Sequence, residues 1–254
     1  IIIQNMRIVL CSVFAALALQ LTISDKCQHI DNWLNNADNK LKVDSNFTFK
    51  AFSRPIEHLT DSLKALLLGT GGFSHVFKMK YRESPERQLE DKAVKVVKWF
   101  SHSGDDADAV YTEALDAELA ILTSLAAENP LNLVRFHECI IDEANQRIYI
   151  VLEFLDKSVS SKTYLDSFGS RPLLEISEIF AQMAADVEVF HDNELLHNDI
   201  KPNNFMMTFT RPKLVKLIDY GFATPVRKFT PAGTKNFKSP ELYNAVAKNT
   251  DYSS

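Results

Sequence analysis

Hydrophobic residues recur with two different periods along this chain, and the change between them separates a strand-rich region from a helical one. From Leu63 onward, short apolar runs lie on each side of a glycine cluster at 69–72, which predicts two strands joined by a tight turn. Residues 91–97 have the alternating character of a further strand. Residues 131–141 and 146–154 are predicted to be two more strands, around a turn at 142–145.

Two segments carry apolar residues at helical spacing. Residues 105–127 begin with acidic residues, which are favourable near the N-terminus of a helix. Residues 174–193 form the second segment. The apolar positions expected in the core of the second helix are Ile176, Ile179, Phe180, Met183, Val187 and Phe190.

The first 61 residues have a different pattern. Met6 and Arg7 precede an apolar run of about 14 residues, which is typical of a signal-peptide core and short for a membrane span. We expect residues 1–24 to be a secretory signal cleaved after Ala18 or Ser24, with residues 1–5 as translated leader. A short membrane anchor is the alternative. Residues 25–61 are polar and Asn-rich and are predicted to be a linker with one short helix.

Composition narrows the functional classes. The chain has 254 residues, of which 46% are hydrophobic and 24% charged, as in ordinary globular proteins. A net charge of −5 gives no electrostatic reason to expect nucleic-acid binding. The cysteines, Cys11, Cys27 and Cys139, do not make a disulfide-dense scaffold. If the signal is cleaved, the mature chain keeps Cys27 and Cys139, which could pair in an oxidising compartment, and no stable membrane span is expected.

Residues 196–221 concentrate the residues that carry chemistry. Asp199 suits the orientation and deprotonation of an attacking hydroxyl, and Lys201 suits the neutralisation of charge on a transferring phosphoryl group. Asn204 and Asp219 suit Mg²⁺, because this ion prefers hard oxygen ligands and takes few protein carboxylates. The alternative is a polar turn and a short strand without chemistry.

The sequences HNDIKPNN and IDYG resemble the catalytic loop and the metal-binding DFG motif of eukaryotic protein kinases. Asn198 stands where the family has an Arg that pairs with a phosphorylated residue of the activation loop. Its absence implies weaker dependence on such phosphorylation. Tyr220 replaces Phe and adds a hydroxyl that needs a partner. GTGGFSHVF and HNDIKPNNF most resemble the monopolar spindle kinase group, which also lacks that Arg.

The resemblance implies a charged pair that precedes the catalytic loop. Lys95, in the A-x-K context of a strand, would contact the α- and β-phosphates of ATP and pair with Glu118. Lys92, Lys98 and Glu113 are the alternatives. Together with Asp199 and Lys201, the first two residues make up the implied catalytic set.

The glycine cluster resembles the kinase loop that covers the phosphates, where the absence of side chains lets backbone N–H groups approach them. The missing GK[ST] pattern disfavours a P-loop NTPase. Backbone groups of Glu153 and Leu155, at the end of the predicted strand at 146–154, would form hydrogen bonds with adenine. The full implied nucleotide-binding set is Leu68, Gly69, Gly71, Gly72, Val76, Ala93, Lys95, Glu153, Leu155 and Met206.

Residues 233–241, GTKNFKSPE, resemble the end of a kinase activation segment. Thr234 would bond Asp199 and Lys201, as it does in Ser/Thr kinases. The resemblance implies an α+β, two-lobed kinase domain at 62–254. Its N-lobe, at 62–154, would be rich in strands with one long helix, and its partial C-lobe, at 155–254, would be mainly helical. In the family more helices follow, so the resemblance also implies C-terminal truncation.

The resemblance therefore implies an ATP- and Mg²⁺-dependent kinase that acts on Ser or Thr hydroxyls of a protein substrate. The predicted signal favours secretion or the lumen of the secretory pathway, and without a signal the cytoplasm or nucleus is the alternative. A nucleotide-binding pseudokinase that serves as a scaffold is the alternative function. A small-molecule kinase ranks third, because T-x-x-F-x-S-P-E at 234–241 argues against it.

Overall fold

The computed structural model of this chain divides into two compact units. One unit comprises residues 22–112 and 136–154, and the other comprises residues 1–21, 113–135 and 155–254. The predicted signal peptide and most of the predicted linker lie outside the residues that the structure describes. Those residues are 28–29, 41–42, 66–70, 74–81, 87–88, 90–98, 106–128, 131–142, 147–155, 157–158, 167–208, 213–226, 233–240 and 242–244.

One sheet organises the unit of residues 22–112 and 136–154. Its strands are β1 (Gln28–His29), β2 (Leu41–Lys42), β3 (Leu67–Thr70), β4 (Ser74–Tyr81), β5 (Glu90–Lys98), β6 (Phe136–Asp142) and β7 (Arg147–Glu153). They lie in the order β1-β6-β7-β5-β4-β2, and β3 also pairs with β4. The pairings are antiparallel except for that of β1 with β6, which is parallel.

The core of this sheet follows from its β-branched and aromatic residues. Strand β7 is buried along its first five residues because β5 and β6 flank it on both sides. Strand β5 alternates between buried and half-buried positions from 91 to 96, as a strand with two different faces does. The side chains of Val94, Ile140 and Ile150 are fully buried, which removes apolar surface from water.

The edges of the sheet differ from the sequence prediction. Strands β1 and β2 belong to the segment predicted to be a linker, yet they pair with β6 and β4. Each strand has two residues, so the pairing depends on backbone hydrogen bonds and leaves no hydrophobic period in the sequence.

Two helices correspond to the two predicted helical segments. Helix α1 spans Asp106–Glu128, and helix α2 spans Leu173–Asp192. The buried positions of α2 are Ile179, Asp186 and Phe190, at a spacing that puts them on one face. Phe180, expected in the core, is 56% exposed because it lies about 100° around the helix from Ile179. Among the described helices, none is both long and apolar enough to cross a membrane.

The described part of the second unit combines α2 and the part of α1 from residue 113 onward with short strands. These are β8 (Lys157–Ser158), β9 (Leu195–Leu196), β10 (Phe205–Met207), β11 (Val215–Leu217) and β12 (Thr224–Pro225). Strand β10 pairs with β11 and β8, and β9 pairs with β12. Helix α2 is joined to β11 by a 2.9 Å hydrogen bond from the Val215 N–H to the Gln182 Oε1. The strands and helices confirm the α+β class.

Candidate functional site

The hairpin of β10 and β11 positions two of the predicted site residues. Phe205 pairs with Leu217, and the Ile218 N–H donates a 2.8 Å hydrogen bond to the Asn204 carbonyl. In an antiparallel pair, the residue before one strand meets the residues after the other. Asn204 and Asp219, the predicted metal ligands, therefore lie at the same end of this hairpin.

Asp199 lies at the centre of a hydrogen-bond network. Its side chain is 1% exposed, and its Oδ2 lies 2.6 Å from the Lys201 Nζ. The Asn204 Nδ2 donates to the Asp199 carbonyl at 2.8 Å and to Oδ2 at 3.1 Å. The Thr234 N–H donates to Oδ1 at 2.8 Å, and the Lys201 Nζ donates to the Thr234 hydroxyl at 2.8 Å. The Thr234 contacts implied by the resemblance are therefore present in the structure.

The network keeps Asp199 ionised. Burial raises the pKa of this carboxyl, but hydrogen bonds from Lys201 and Thr234 outweigh burial, and the net pKa lies below its ordinary value. An ionised carboxylate accepts hydrogen bonds at both oxygens and has no proton to donate. Asp199 is therefore held ready to accept a hydrogen bond from an incoming hydroxyl.

An aromatic cluster packs next to the catalytic loop that carries Asp199. Phe190, His197 and Tyr220 pack against one another with ring centroids 5.0 to 6.0 Å apart, and each pair is tilted or edge-on. The Tyr220 hydroxyl donates to the Leu217 carbonyl at 3.1 Å, which supplies the partner that this extra hydroxyl needs. The cluster thus fixes His197, two residues before Asp199, and Tyr220, the residue after Asp219.

His197 orients the backbone rather than taking part in proton transfer. The Asp199 N–H donates to its Nδ1 at 3.3 Å, so the proton resides on Nε2, which lies 3.2 Å from the Ile218 carbonyl. Burial lowers the pKa of His197, which favours the neutral ring that this arrangement requires. The ring thus links the catalytic loop to the residue before Asp219.

Three residues of this region have a left-handed backbone. Asn198 has φ 62° and Asp219 has φ 63°, and these residue types tolerate that conformation best after glycine. Gly233 has φ 98°, and a Cβ atom there would lie 2.3 Å from the Asn198 carbonyl oxygen. Position 233 therefore needs glycine both for its backbone angle and for close approach to the loop.

In the sheet unit, Lys95 shares one face with other predicted nucleotide contacts. It is half-buried on β5 opposite Val76 and Ile150, and residues opposite each other on paired strands lie on the same face. Ala93 lies two residues away, on that face. Lys92 lies on the other face of β5, 2.7 Å from the Glu90 carboxylate. Because side chains alternate between the two faces of a strand, Lys95, and not Lys92, lies on the same face as Val76 and Ala93.

The remaining predicted contacts are spread over both units. Gly69 is described in β3, opposite Val76 on β4, whereas Gly71 and Gly72 lie outside the described residues. Leu68 is exposed, and Glu153 is half-buried at the end of β7. In the other unit, Leu155 is buried, Met206 is half-buried on β10, and Glu118 is buried on α1. Their convergence on one nucleotide and the pairing of Lys95 with Glu118 remain predictions.

The donor set at the end of the β10–β11 hairpin fits Mg²⁺. The Asn204 amide nitrogen is engaged by Asp199, which leaves its amide oxygen as the atom suited to the ion. Asp219 adds an exposed carboxylate. Proteins usually hold Mg²⁺ through one or two carboxylates, while phosphate oxygens and water fill its other positions, so one carboxylate and one amide oxygen fit this ion.

Sequence reasoning did not foresee how the Asn198 side chain is used. Its Nδ2 lies 2.9 Å from the Phe222 carbonyl oxygen and 2.9 Å from the Thr224 Oγ1. Only the absence of the usual Arg marked this position in the sequence, because an asparagine amide gives no indication of its partners.

Comparison with known proteins agrees with this site. The family described as "Protein kinase domain" matches residues 64–254. Similar proteins include the striated muscle preferentially expressed protein kinase of Danio rerio, 26% identical over 72% of this chain and 6% of the relative. The probable serine/threonine-protein kinase PLK of Dictyostelium discoideum is 30% identical over 69% of this chain and 17% of the relative.

A third relative covers less of this chain. The serine/threonine-protein kinase ATG1b of Arabidopsis thaliana is 31% identical over 51% of this chain and 18% of its own length. The chain thus spans less than a fifth of each of these three relatives. The resemblance to the monopolar spindle kinase group is not confirmed by these comparisons.

Proposed function

Because this chain belongs to the protein kinase domain family, we propose that it transfers the γ-phosphate of ATP to Ser or Thr hydroxyls of protein substrates. The observation that carries this proposal is the buried, ionised Asp199, fixed by Lys201, Asn204 and Thr234 at distances of 2.6 to 3.1 Å. A carboxylate fixed by three donors orients a nucleophile at little entropic cost, which is a large part of catalysis in phosphoryl transfer.

Each residue of the network has a separate task in this proposal. Asp199 accepts the hydrogen bond of the substrate hydroxyl, which directs a lone pair of that oxygen toward phosphorus. The transition state is loose, so the proton is transferred late, and a carboxylate of low pKa suffices. Lys201 adds positive charge next to the nucleophile. Bound Mg²⁺ would neutralise charge on the phosphate oxygens, and Asn204 and Asp219 would hold it.

The preference for Ser and Thr is supported by Thr234. This residue bridges Asp199 and Lys201, so the end of the activation segment is joined to the catalytic carboxylate. The resemblance associates both this bridge and the DIKP sequence with the Ser/Thr class. The names of relatives from Dictyostelium discoideum and Arabidopsis thaliana also specify serine/threonine kinases.

The experiment that tests this function identifies the modified side chain. The full-length protein is incubated with Mg-ATP and a basic acceptor protein, and phosphorylated residues are mapped by mass spectrometry. We expect phosphoserine and phosphothreonine, and neither with Asp199→Asn. Phosphotyrosine alone would contradict the Ser/Thr preference. Absence of product, with ATP still raising the melting temperature, would support the nucleotide-binding scaffold instead.

We propose further that the protein belongs to the secretory pathway or the outside of the cell. Besides the apolar run at 8–21, support comes from Cys139 on β6, which is 2% exposed and disulfide-bonded. Disulfides persist in oxidising compartments and are rare in the cytosol. Gln28 pairs in parallel with Ile140, so Cys27 and Cys139 precede two residues that lie opposite each other. We therefore propose Cys27 as the partner of Cys139.

Peptide mapping without reduction tests both parts of this proposal. A eukaryotic culture that expresses the complete reading frame should release protein containing a cross-linked Cys27–Cys139 peptide pair. Protein retained inside the cell, with both cysteines alkylated by a thiol reagent before reduction, would contradict it. Cys11 lies in the predicted signal, and its presence in released protein would contradict cleavage.

A further inference from the structure

The Asn198 side chain of the catalytic loop is hydrogen-bonded to the start of the activation segment. The Asn198 Nδ2 carries two N–H groups, and the acceptors at 2.9 Å, the Phe222 carbonyl and the Thr224 hydroxyl oxygen, match them in number. The Leu196 carbonyl lies farther away, at 3.4 Å. A single amide thus holds both the backbone and a side chain of the segment that follows Asp219.

Backbone hydrogen bonds also hold the start of the activation segment. Thr224 and Pro225 of β12 pair with Leu196 and Leu195 of β9, and the Val226 N–H donates to the Glu194 carbonyl at 2.9 Å. Thr224 is buried, so its hydrogen bond with Asn198 is shielded from competing water.

The other end of the segment also reaches Asn198. Gly233 approaches its carbonyl oxygen so closely that a Cβ would lie 2.3 Å away, and the next residue, Thr234, donates to Asp199. The left-handed backbone of Asn198 sends its side chain toward 222–224 and its carbonyl toward 233. Both described ends of the activation segment therefore contact the residue before Asp199.

We propose that Asn198 is a positioning residue that holds the activation segment in place without an added phosphate group. The inference rests on the proposed kinase function. The contacts consist of an amide, a carbonyl and a hydroxyl, so none carries formal charge, and no phosphate is needed to complete them. With the segment fixed, Thr234 remains on Asp199, and the carboxylate is aligned before substrate arrives.

Asn198→Gly tests this role with little risk to folding. Glycine adopts a φ near 62° without strain, so the substitution removes the amide and leaves the backbone acceptable. Asn193→Ala is the matched control, because it removes an amide that donates to the Val189 carbonyl at 2.9 Å, at the C-terminal end of α2. Both proteins and the wild type are treated with phosphatase until mass spectrometry finds no phosphate.

Kinetics and hydrogen exchange are then measured on the three proteins. We expect phosphate-free wild type to be active. In Asn198→Gly, kcat should fall about tenfold, as the loss of one or two net hydrogen bonds predicts, with the KM for ATP unchanged. The backbone amides of residues 223, 224 and 226 should exchange faster in Asn198→Gly than in the wild type; residue 225 is proline and has no amide hydrogen. Asn193→Ala should match the wild type in both measurements.

The two measurements separate this inference from the proposed function. Wild-type kcat and unchanged exchange in Asn198→Gly would overturn the positioning role, and so would a wild type that is active only when phosphorylated. A wild type without any phosphate transfer would contradict the proposed function. In that case the exchange rates of the amides of residues 223, 224 and 226 still decide whether Asn198 holds the segment.

Discussion

Replacement of Asp186 by Asn should make the stability of the protein less dependent on pH. Asp186 lies on the face of α2 that packs on β11, and its side chain is fully buried. Among the described residues, neither carboxyl oxygen has a hydrogen-bond partner, and the nearby Leu217 N–H donates to the Asn132 carbonyl. Burial raises the pKa of Asp186 to about 8, although the Leu217 N–H and the Lys216 charge act against it.

The sign and size of the effect follow from this pKa. The unfolded chain releases the Asp186 proton near pH 4, at about the ordinary pKa, whereas the folded chain retains it to about pH 8. The stability that this proton contributes is fully present below pH 4 and is lost as the pH rises to 8. Each pH unit in this window lowers the free energy of unfolding by about 1.4 kcal/mol. From pH 4 to pH 7 the loss is on the order of 4 kcal/mol.

The assay compares urea unfolding of wild type and Asp186→Asn, followed by circular dichroism at pH 5, 6 and 7. Asn has nearly the same shape and does not titrate, so the difference between the two proteins isolates this carboxyl. Between pH 5 and pH 7, the free energy of unfolding of the variant should rise relative to that of the wild type by roughly 3 kcal/mol. Asp192→Asn, which removes an exposed carboxylate from α2, should change the free energy of unfolding by less than about 0.5 kcal/mol throughout. A difference for Asp186→Asn that stays constant over this range would refute the reasoning.

Three further substitutions test other parts of the structure. Gly233→Ala should lower the free energy of unfolding by about 1 to 3 kcal/mol, because its Cβ would meet the Asn198 carbonyl; an unchanged urea midpoint would contradict that contact. Phe190→Ala should cost about 3 to 5 kcal/mol in the same assay, because a fully buried ring is lost, and a loss under 1 kcal/mol would mean that the cluster is not packed. Lys95→Met should abolish phosphate transfer while Lys92→Met, on the other face of β5, retains it; the reverse result would exchange their roles.

Regular elements were predictable wherever a hydrophobic period extends over several residues. The strands predicted at 131–141 and 146–154 correspond to β6 and β7, and both helices were located within a residue at each end. Residues 131–135 precede β6 because Leu133 instead bridges to Leu217. The two-residue edge strands could not be predicted, since backbone pairing alone forms them.

Within α2, the sequence pattern identified an apolar face but not its limits. Phe180 was expected in the core and is exposed, whereas Asp186 is buried. A polar residue on the buried face runs against the usual preference, so no pattern of apolar residues finds it.

The residues of the candidate site were predictable from the sequence, whereas many of the contacts between them were not. The spacing of Asp199, Lys201 and Asn204 identified them, and the structure places all three in one network. The two hydrogen bonds of Asn198 to Phe222 and Thr224 depend on a left-handed backbone and on the pairing of β9 with β12. Contacts between residues 24 and 26 positions apart are set by the fold rather than by local sequence.

The most direct test of the proposed kinase function is the initial rate of γ-phosphate incorporation into a protein acceptor at saturating Mg-ATP. The wild type and Asp199→Asn are measured side by side, and the melting temperature of each is checked to confirm folding. The proposal predicts sustained incorporation by the wild type and a rate at background for the folded variant. Equal rates for the two proteins would contradict the assignment of Asp199 as the residue that orients the attacking hydroxyl.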